Sequence, residues 1–389
     1  MPDVRKMAPT PLPKPQPRSI PSLDGMRGVA VLLVVAAHCD IPQRAATKLF
    51  QHGLRAAATL INLDGGDLGV SVFFVISGFL ITSLLTRRSG APSLRTFYIR
   101  RFFRIFPPYF VYLLVVGLLW VAGTMPMLRS AFVAALLYLS NYFPYIWSEP
   151  AGRGWLVGHT WSLSLEEQFY LVWPFLLVRL GHRRAIWIGV ALILSSPILR
   201  MLTLHFAPWT LTNGQIDRMF HTRIDTIMCG CILALLEDWP RPYQLLMKGM
   251  RKPLSAAFVL ALLWMVLWES KRQFTFMQIG GIGLEALLLA YLMFYAVQNA
   301  SSWSGRILNA AWLRHIGLIS YSLYLWQQLF SGASMLIHLP IVVRFVLILC
   351  CAEASYFGVE KTSSSLRDRY LARQIERAAR RTAQQALSQ

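Results

Sequence analysis

The residues best able to do chemistry in this sequence are ionisable side chains that lie inside long apolar stretches. In the first stretch, LDGMRGVAVLLVVAAH, Arg27 and His38 are eleven residues apart. An α-helix makes a turn every 3.6 residues and rises about 1.5 Å per residue, so the two side chains share one face about 16 Å apart along the axis. Ionisable groups at a bilayer centre are unfavourable by about 2.5 to 3.5 kcal/mol or more, which makes them functional candidates. This helix therefore predicts a functional cation and a functional imidazole on one face.

Two adjacent glutamates form a second cluster, in the stretch HTWSLSLEEQFYLVWPF at residues 159–175. If Trp161 marks the outer membrane boundary, Glu166 and Glu167 lie about 8 Å beneath it. His38, counted from the inner boundary, lies about 21 Å into a core of about 30 Å, at a similar depth. A carboxylate beside a histidine orients the ring and stabilises the imidazolium that proton transfer creates. The sequence predicts His38 as a catalytic base partnered by Glu166, preferred over Glu167; the alternative is a packed histidine bonded to a neighbouring helix.

A third cluster of basic residues lies in the stretch FYIRRFFRIFPPY, where Arg100, Arg101 and Arg104 precede two prolines. Arg100 and Arg104 share a helix face at i, i+4 spacing. The planar guanidinium fork suits phosphate groups, so the cluster predicts binding of a phosphorylated ligand. The alternative is that these arginines only anchor a cytoplasmic loop.

The composition indicates that membrane helices carry and position these clusters. The chain has 389 residues, of which 55% are apolar and 14% are charged, against about 25% charged in soluble domains. Its mean hydropathy is +0.47. A net charge of +20 would suggest nucleic acid for a soluble protein, but in a membrane protein it indicates cytoplasmic loops, and no nucleic-acid partner is expected. The five cysteines lie in apolar runs and predict neither a disulfide framework nor a metal site.

The apolar stretches predict an all-α integral membrane protein with about ten transmembrane helices. They lie at residues 24–40, 68–86, 105–123, 131–146, 161–178, 185–204, 222–237, 254–268, 279–297, 314–337 and 340–358. The stretch 131–146 is short and contains Asn141 and Pro144, so we interpret it as a re-entrant or interfacial segment on the outer side. With both termini in the cytoplasm, the inner segments then carry 26 lysines and arginines and the outer segments eight, as the positive-inside rule requires.

The chain accordingly divides into three parts. Residues 1–21 are rich in proline and basic residues, which is typical of a disordered cytoplasmic tail. Residues 22–360 form the transmembrane domain. Residues 361–389 predict a basic cytoplasmic helix, either solvated or lying on the anionic inner leaflet.

Six motifs in order resemble the membrane acyltransferase 3 family, whose members O-acylate sugars of the bacterial cell surface and some secreted small molecules. The motifs are LDGMRGVAVLLVVAAH, GVSVFFVISGFLI, RRFFRIFPPY, HTWSLSLEEQFYL, RIDTIMCGCILA and GLISYSLYLWQ, and they cover most of residues 20–360. The chain ends without the extracytoplasmic hydrolase-like domain that some relatives append, so transfer is expected to be completed within the membrane domain or by a separate protein.

The resemblance implies a bacterial inner-membrane O-acyltransferase that uses acyl-coenzyme A, with acetyl-coenzyme A the expected donor substrate and no permanently bound cofactor. The acceptor would be a hydroxyl of a surface polysaccharide, lipopolysaccharide or other glycan on the outer side. His38 resembles the catalytic histidine of the family and Arg27 its partner on the same helix. The arginines of the third cluster resemble the family's coenzyme A-binding motif. Gln327 stands where many relatives have histidine, which argues against a catalytic role for that helix.

The remaining polar residues have weaker interpretations. Trp161, Arg223 and Asp225 are candidate acceptor-binding residues, although Arg223 and Asp225 could instead pair with each other or with a glutamate. Ser77 is either an acyl-carrying nucleophile or, with Gly78, a small-residue contact between helices.

Two other classes of function remain open from the sequence. In a secondary transporter of a polar or anionic solute, the buried acids and Arg27 would form the transport path. In an assembly subunit of a polysaccharide machine, no chemistry would occur and His38 would be dispensable.

Overall fold

The computed structural model describes residues 20–41, 45, 48, 51, 65–86, 93–143, 152–212, 214–236, 239–250, 253–272, 276–332 and 338–387. The tail predicted for residues 1–21 lies outside them except for its last two residues. Within the described ranges the regular structure is helical and contains no strand, which confirms the all-α class.

The helices are numbered here in chain order. They are α1 (Pro21–His38), α2 (Gly65–Thr86), α3 (Leu94–Val121), α4 (Arg129–Leu136), α5 (Trp155–Gly158), α6 (Thr160–Phe206), α7 (Trp209–Thr212), α8 (Phe220–Leu235), α9 (Pro240–Met250), α10 (Pro253–Arg272), α11 (Ile282–Gln298), α12 (Trp303–Leu308), α13 (Ala311–Leu318), α14 (Ser320–Trp326), α15 (Ile341–Ser355) and α16 (Lys361–Leu387). Short 3₁₀ turns lie at Ser140–Tyr142 and Gln327–Phe330, and π turns at Met277–Gly281 and Tyr356–Glu360.

Among the described residues, four helical segments are long and apolar enough to cross a membrane, namely α2, α3, Trp155–Phe206 and Ile341–Gln374. A bent pair, Pro240–Gly249 and Leu254–Glu269, is a fifth candidate. The expected count of about ten spans is therefore not confirmed. One reason is that the predicted spans 161–178 and 185–204 lie in a single segment, which bends at Gly181 with φ 73°.

The stretch 131–146, predicted not to span, begins with the short helix α4. Its eight residues extend only about 12 Å, against a hydrocarbon core of about 30 Å. Asn141 and Gln168 exchange two side-chain hydrogen bonds of 3.0 Å, and the Ser140 and Thr160 hydroxyls lie 2.7 Å apart. These contacts fasten the segment to α6; its placement on the outer side stays a prediction.

Helices α2 and α8 approach closely because glycines face each other's backbone. A Cβ atom at Gly230 would lie 2.0 Å from the Val75 carbonyl oxygen, and one at Gly78 would lie 2.1 Å from the Ile227 carbonyl oxygen. Small residues are typical of such helix contacts in membranes. The predicted helix contact at Gly78 is thus present, and it fixes the position of α2, which carries Ser77.

We expect Gly230→Val to lower the free energy of unfolding by about 1 to 3 kcal/mol, the range for overpacking a tight contact. The thermal midpoint of the purified protein in detergent measures this change. Gly358→Ala is the control, because a Cβ atom at Gly358 has no neighbour within 4 Å. Equal midpoints for the two variants would contradict the expected close approach.

The C-terminal helix α16 continues from α15 through the π turn and packs against α3. The Ser363 hydroxyl donates to the Phe103 carbonyl oxygen at 2.6 Å, and the Ser322 hydroxyl donates to Glu360 Oε1 at 2.5 Å. The first bond holds α16 against the arginine-bearing half of α3, and the second ties the π turn to α14.

Candidate active site

The arginines and glutamates predicted from separate motifs meet around one narrow cavity. Arg27 comes from α1, Arg101 and Arg104 from α3, and Glu166 and Glu167 from α6. The cavity offers about 60 Å³ of room for water-sized molecules. The rest of its lining combines hydroxyl-bearing and apolar side chains, namely Val70, Phe73, Phe74, Ser77, Ile105, Ser162, Leu163, Tyr170, Ser320, Tyr321 and Tyr324.

Glu166 is held at this cavity by two hydroxyl groups. The Ser77 hydroxyl donates to Glu166 Oε1 at 2.8 Å, and the Tyr170 hydroxyl donates to Glu166 Oε2 at 3.1 Å. The Arg101 guanidinium lies 4.7 Å from the centroid of the Tyr170 ring. Both carboxylate oxygens thus accept hydrogen bonds from partners other than His38, and the structure shows no hydrogen bond between His38 and Glu166 among its described residues.

Trp161, from which the depth of Glu166 was counted, is buried in the helix bundle. Its side chain is 6% exposed, packs against Phe74, and has the Arg218 guanidinium 5.6 Å from its ring centroid. The ring of His38 contacts Trp155 of α5, and His159, the residue before α6, is close enough to interact with His38 electrostatically. Glu166 lies seven residues beyond His159, which is about 10 Å along the helix.

His38 is the last residue of α1 and lies beside Trp155. The two rings meet edge to face, with centroids 5.8 Å apart and planes at 83°. The imidazole Nδ1 is buried and has no well-aligned hydrogen-bond partner among the residues that the structure describes. His38 as a whole residue is partly exposed.

Tyr324 links the surroundings of His38 to the narrow cavity. Its hydroxyl donates to the His159 carbonyl oxygen at 2.8 Å and lies 2.6 Å from the Ser162 hydroxyl, and both Tyr324 and Ser162 line the cavity. The His159 ring packs between the rings of Tyr112 and Tyr324, each centroid 5.4 Å away. The two clusters therefore occupy adjoining parts of one bundle rather than one point.

A second, wider cavity adjoins the first through Arg101 and Arg104, which line both. It has room for water-sized molecules in a volume of about 580 Å³, against about 60 Å³ in the narrow cavity. We call it the basic vestibule, because five basic and two acidic side chains line it. They are Arg100, Arg101, Arg104, Lys361, Arg367, Glu360 and Asp368.

Arg223 and Asp225 form buried ion pairs with partners on other helices. Arg223 Nη2 donates to Asp67 Oδ2 at 2.7 Å and to the Ser71 hydroxyl at 2.9 Å, while Arg200 Nη1 donates to Asp225 Oδ2 at 2.9 Å. The two residues therefore do not pair with each other. These contacts tie α8 to α2 and α6, and no contact of Arg223, Asp225 or Trp161 indicates an acceptor site, so that role stays an untested prediction.

The structure also reveals functional candidates that the sequence reading missed. Tyr170 follows Glu166 at i+4 spacing, a signal that could have identified it. Trp155 and Tyr324 gave no comparable signal, since each acts through a tertiary contact. Glu353, an acidic residue on the apolar helix α15, has His315 of α13 as its partner, with Oε1 of the glutamate 2.6 Å from Nε2 of the histidine. Across the described segments no three or more His, Cys, Asp or Glu residues cluster in a way that could hold a metal ion.

Comparison with known proteins gives a consistent result over most of the chain. Residues 20–352 match the profile of a family described as an acyltransferase domain. A Staphylococcus aureus (strain COL) protein provisionally named an O-acetyltransferase is 31% identical over 378 residues, covering 88% of this chain and 57% of that protein. The peptidoglycan O-acetyltransferase OatA of Listeria monocytogenes is 29% identical over 325 residues, covering 79% of this chain and 49% of that protein.

A Bacillus subtilis protein provisionally named a peptidoglycan O-acetyltransferase, YrhL, is 29% identical over 376 residues, covering 88% of this chain and 55% of that protein. The chain thus spans about half the length of the curated relatives it matches. No solved structure matches it.

Proposed function

The chain belongs to the membrane acyltransferase 3 family of acyl-transferring enzymes, and from that membership we propose that it is a membrane O-acyltransferase using cytoplasmic acyl-coenzyme A, with acetyl-coenzyme A as the expected donor. The acceptor is a hydroxyl of a surface glycan on the outer side of the bacterial inner membrane. The names of the Listeria and Bacillus relatives make peptidoglycan the first acceptor to test. The donor acts as a substrate and not as a resident cofactor.

The observation that carries this proposal is the junction between the basic vestibule and the narrow cavity. The vestibule is wide and positively charged, which suits the phosphates of coenzyme A, since guanidinium forks bind phosphate oxygens well. The cavity beyond Arg101 and Arg104 is about tenfold smaller in the same measure, which suits a thin pantetheine arm and a short acyl group. Arg27 lines its wall on the helix that ends at His38.

His38 serves as the general base in this proposal. It removes the proton from the acceptor hydroxyl while that oxygen attacks the carbonyl carbon of the thioester. The carbon–sulfur bond then breaks, the acyl group stays on the acceptor oxygen, and the proton leaves with the thiol of coenzyme A. Ser77, Glu166 and Tyr170 form the hydrogen-bonded wall of the narrow cavity and line the path along which the pantetheine arm extends toward His38.

The proposal is tested by the acyl content of the surface glycan. NMR of purified glycan should show O-acetyl signals in the wild type, their loss in a deletion strain, and their return when the intact gene is restored. A strain complemented with His38→Ala should resemble the deletion strain. Unchanged O-acylation on deletion would exclude the proposed function in that organism.

Both termini should lie in the cytoplasm, as the distribution of basic residues requires. We expect Ala372→Cys, an exposed position on α16, to be protected from an impermeant thiol reagent in intact cells, in a background without the native cysteines. Ser130→Cys, exposed on α4, is the matched position predicted on the outer side and should react. Labelling of Ala372→Cys in intact cells would overturn this topology.

A further inference from the structure

Among the residues that the structure describes, no carboxylate is hydrogen-bonded to the His38 imidazole, although a carboxylate usually fixes a catalytic histidine. In the serine hydrolase arrangement, a carboxylate bonded to one ring nitrogen holds the imidazole in its productive orientation. Here Nδ1 of His38 has no well-aligned partner among the described residues, and Glu166 is bonded to Ser77 and Tyr170. The imidazole interacts with the Val34 backbone, and a contact with the face or edge of the ring is still needed to fix its orientation.

The indole of Trp155 is placed to do so. Its ring meets the imidazole edge to face at a centroid distance of 5.8 Å, a geometry that aromatic pairs prefer and that is lost when either ring rotates. Trp155 is itself partly exposed, so the two rings form one rigid surface at the accessible end of α1.

Gln328 fixes the position of Trp155 by two hydrogen bonds. Trp155 Nε1 donates to the Gln328 carbonyl oxygen at 3.2 Å, and Gln328 Nε2 donates to the Trp155 carbonyl oxygen at 2.8 Å. The Gln327 amide donates to Gln328 Oε1 at 3.0 Å, and both glutamines are fully buried. Gln327 thus orients the side-chain amide of Gln328 that bonds to the Trp155 backbone.

Gly332 closes the arrangement on the other side. Its backbone N–H donates to the His38 carbonyl oxygen at 3.1 Å, so it fastens the end of α1. Its φ is +52°, and a Cβ atom there would lie 1.9 Å from Cζ2 of Trp155. Only glycine meets both requirements, since other residues disfavour this backbone region and would collide with the indole.

We propose that Trp155 is the positioning residue for the His38 imidazole and that Gln327, Gln328 and Gly332 form a clamp that holds it. The inference rests on the proposed function of His38 as the base. It assigns a role to residues 327–332, which follow α14: this segment acts through packing and has no contact with the reacting atoms.

The test measures the reactivity of His38 directly, in the full-length protein purified in detergent. Diethyl pyrocarbonate modifies accessible neutral imidazoles, and mass spectrometry of peptides gives the rate at each histidine. We expect Gln328→Ala, which removes the hydrogen bond to the Trp155 backbone carbonyl, and Gly332→Ala, whose Cβ atom would collide with the indole, to raise the rate at His38 several-fold, because Trp155 is then displaced from the imidazole. His315, which is 46% exposed and paired with Glu353, is the internal standard and should react at an unchanged rate.

The same variants should reduce glycan O-acetylation in complemented cells by about 10- to 100-fold at equal protein level, the effect of misplacing a catalytic group by about 1 Å. Trp155→Phe should have a smaller effect, since it keeps an aromatic ring and loses only the indole N–H. Gly123→Ala is the matched control, because Gly123 has φ +70° but no neighbour within 4 Å of a Cβ atom. Gly123→Ala introduces the backbone strain of a positive φ without any collision, so it shows how much of the Gly332→Ala effect comes from strain alone.

An unchanged rate at His38 in a folded Gln328→Ala protein would overturn the clamp, whatever happens to activity. If Gly332→Ala does not fold, Gln328→Ala and Trp155→Phe decide the result. An active His38→Ala protein would overturn the proposed base instead, and the modification rates would still report whether Trp155 positions the ring. The two failures are therefore distinguishable.

Discussion

Replacing His38 by alanine is expected to lower turnover by about two to four orders of magnitude, the range for loss of general acid–base catalysis. Folding and donor binding should be retained, because His38 ends α1 and lines neither the narrow cavity nor the basic vestibule. Turnover is measured as labelled acetyl transfer from acetyl-coenzyme A to glycan in membranes that contain equal amounts of protein. A well-folded His38→Ala protein with wild-type turnover would contradict the proposed mechanism.

Glu166→Gln provides the matched comparison for this prediction. Because Glu166 is bonded to Ser77 and Tyr170 at the narrow cavity, the variant keeps an oxygen that accepts from Ser77 but loses a charge. We expect a smaller fall in turnover than for His38→Ala, together with altered donor binding. Glu166→Gln could instead lower turnover as much as His38→Ala and leave donor binding unchanged. That result would indicate that Glu166 acts directly with His38 in catalysis.

Removing Arg101 or Arg104 is expected to weaken acyl-coenzyme A binding by about 1.5 to 3 kcal/mol for each lost charge-assisted hydrogen bond. These two arginines join the vestibule to the narrow cavity, so both should matter more than Arg100, which lines only the vestibule. Lysine should rescue only partly, since it carries charge without the planar fork. Isothermal titration of the purified protein with acetyl-coenzyme A measures the dissociation constant.

Arg95→Ala is the control, because Arg95 is exposed on the same helix and lines neither cavity. Arg95→Ala removes one positive charge from the same helix, close in sequence to the other arginines. It should leave the affinity for acyl-coenzyme A near the wild-type value. If the combined Arg100, Arg101 and Arg104 variant kept full donor affinity, these arginines would serve only as topology anchors. Comparable losses for Arg95→Ala and Arg104→Ala would indicate a general effect of charge rather than a binding site.

The sequence by itself determined the class of fold and the chemistry carried by single helices. The chain has 55% apolar residues, which indicates a membrane protein. In a bilayer, helices are favoured because they satisfy their backbone hydrogen bonds within one segment. Arg27 and His38 lie on one helix, Pro21–His38, as their spacing predicts. The arginines of α3 could also be recognised, because a basic run beside an apolar helix is a local signal.

Only the tertiary structure decided which of these groups meet. Depth along a helix follows from residue counting, but the neighbours of a side chain depend on how helices pack and where they bend. Glu166 meets Ser77 across 89 positions of sequence, and Arg223 meets Asp67 across 156. His38 packs against Trp155 and not against the expected carboxylate. The reason is that the short helix α5 and the residues around Gln328 meet at the end of α1. Periodicity fixes a helix face; the packing of distant helices decides what that face touches.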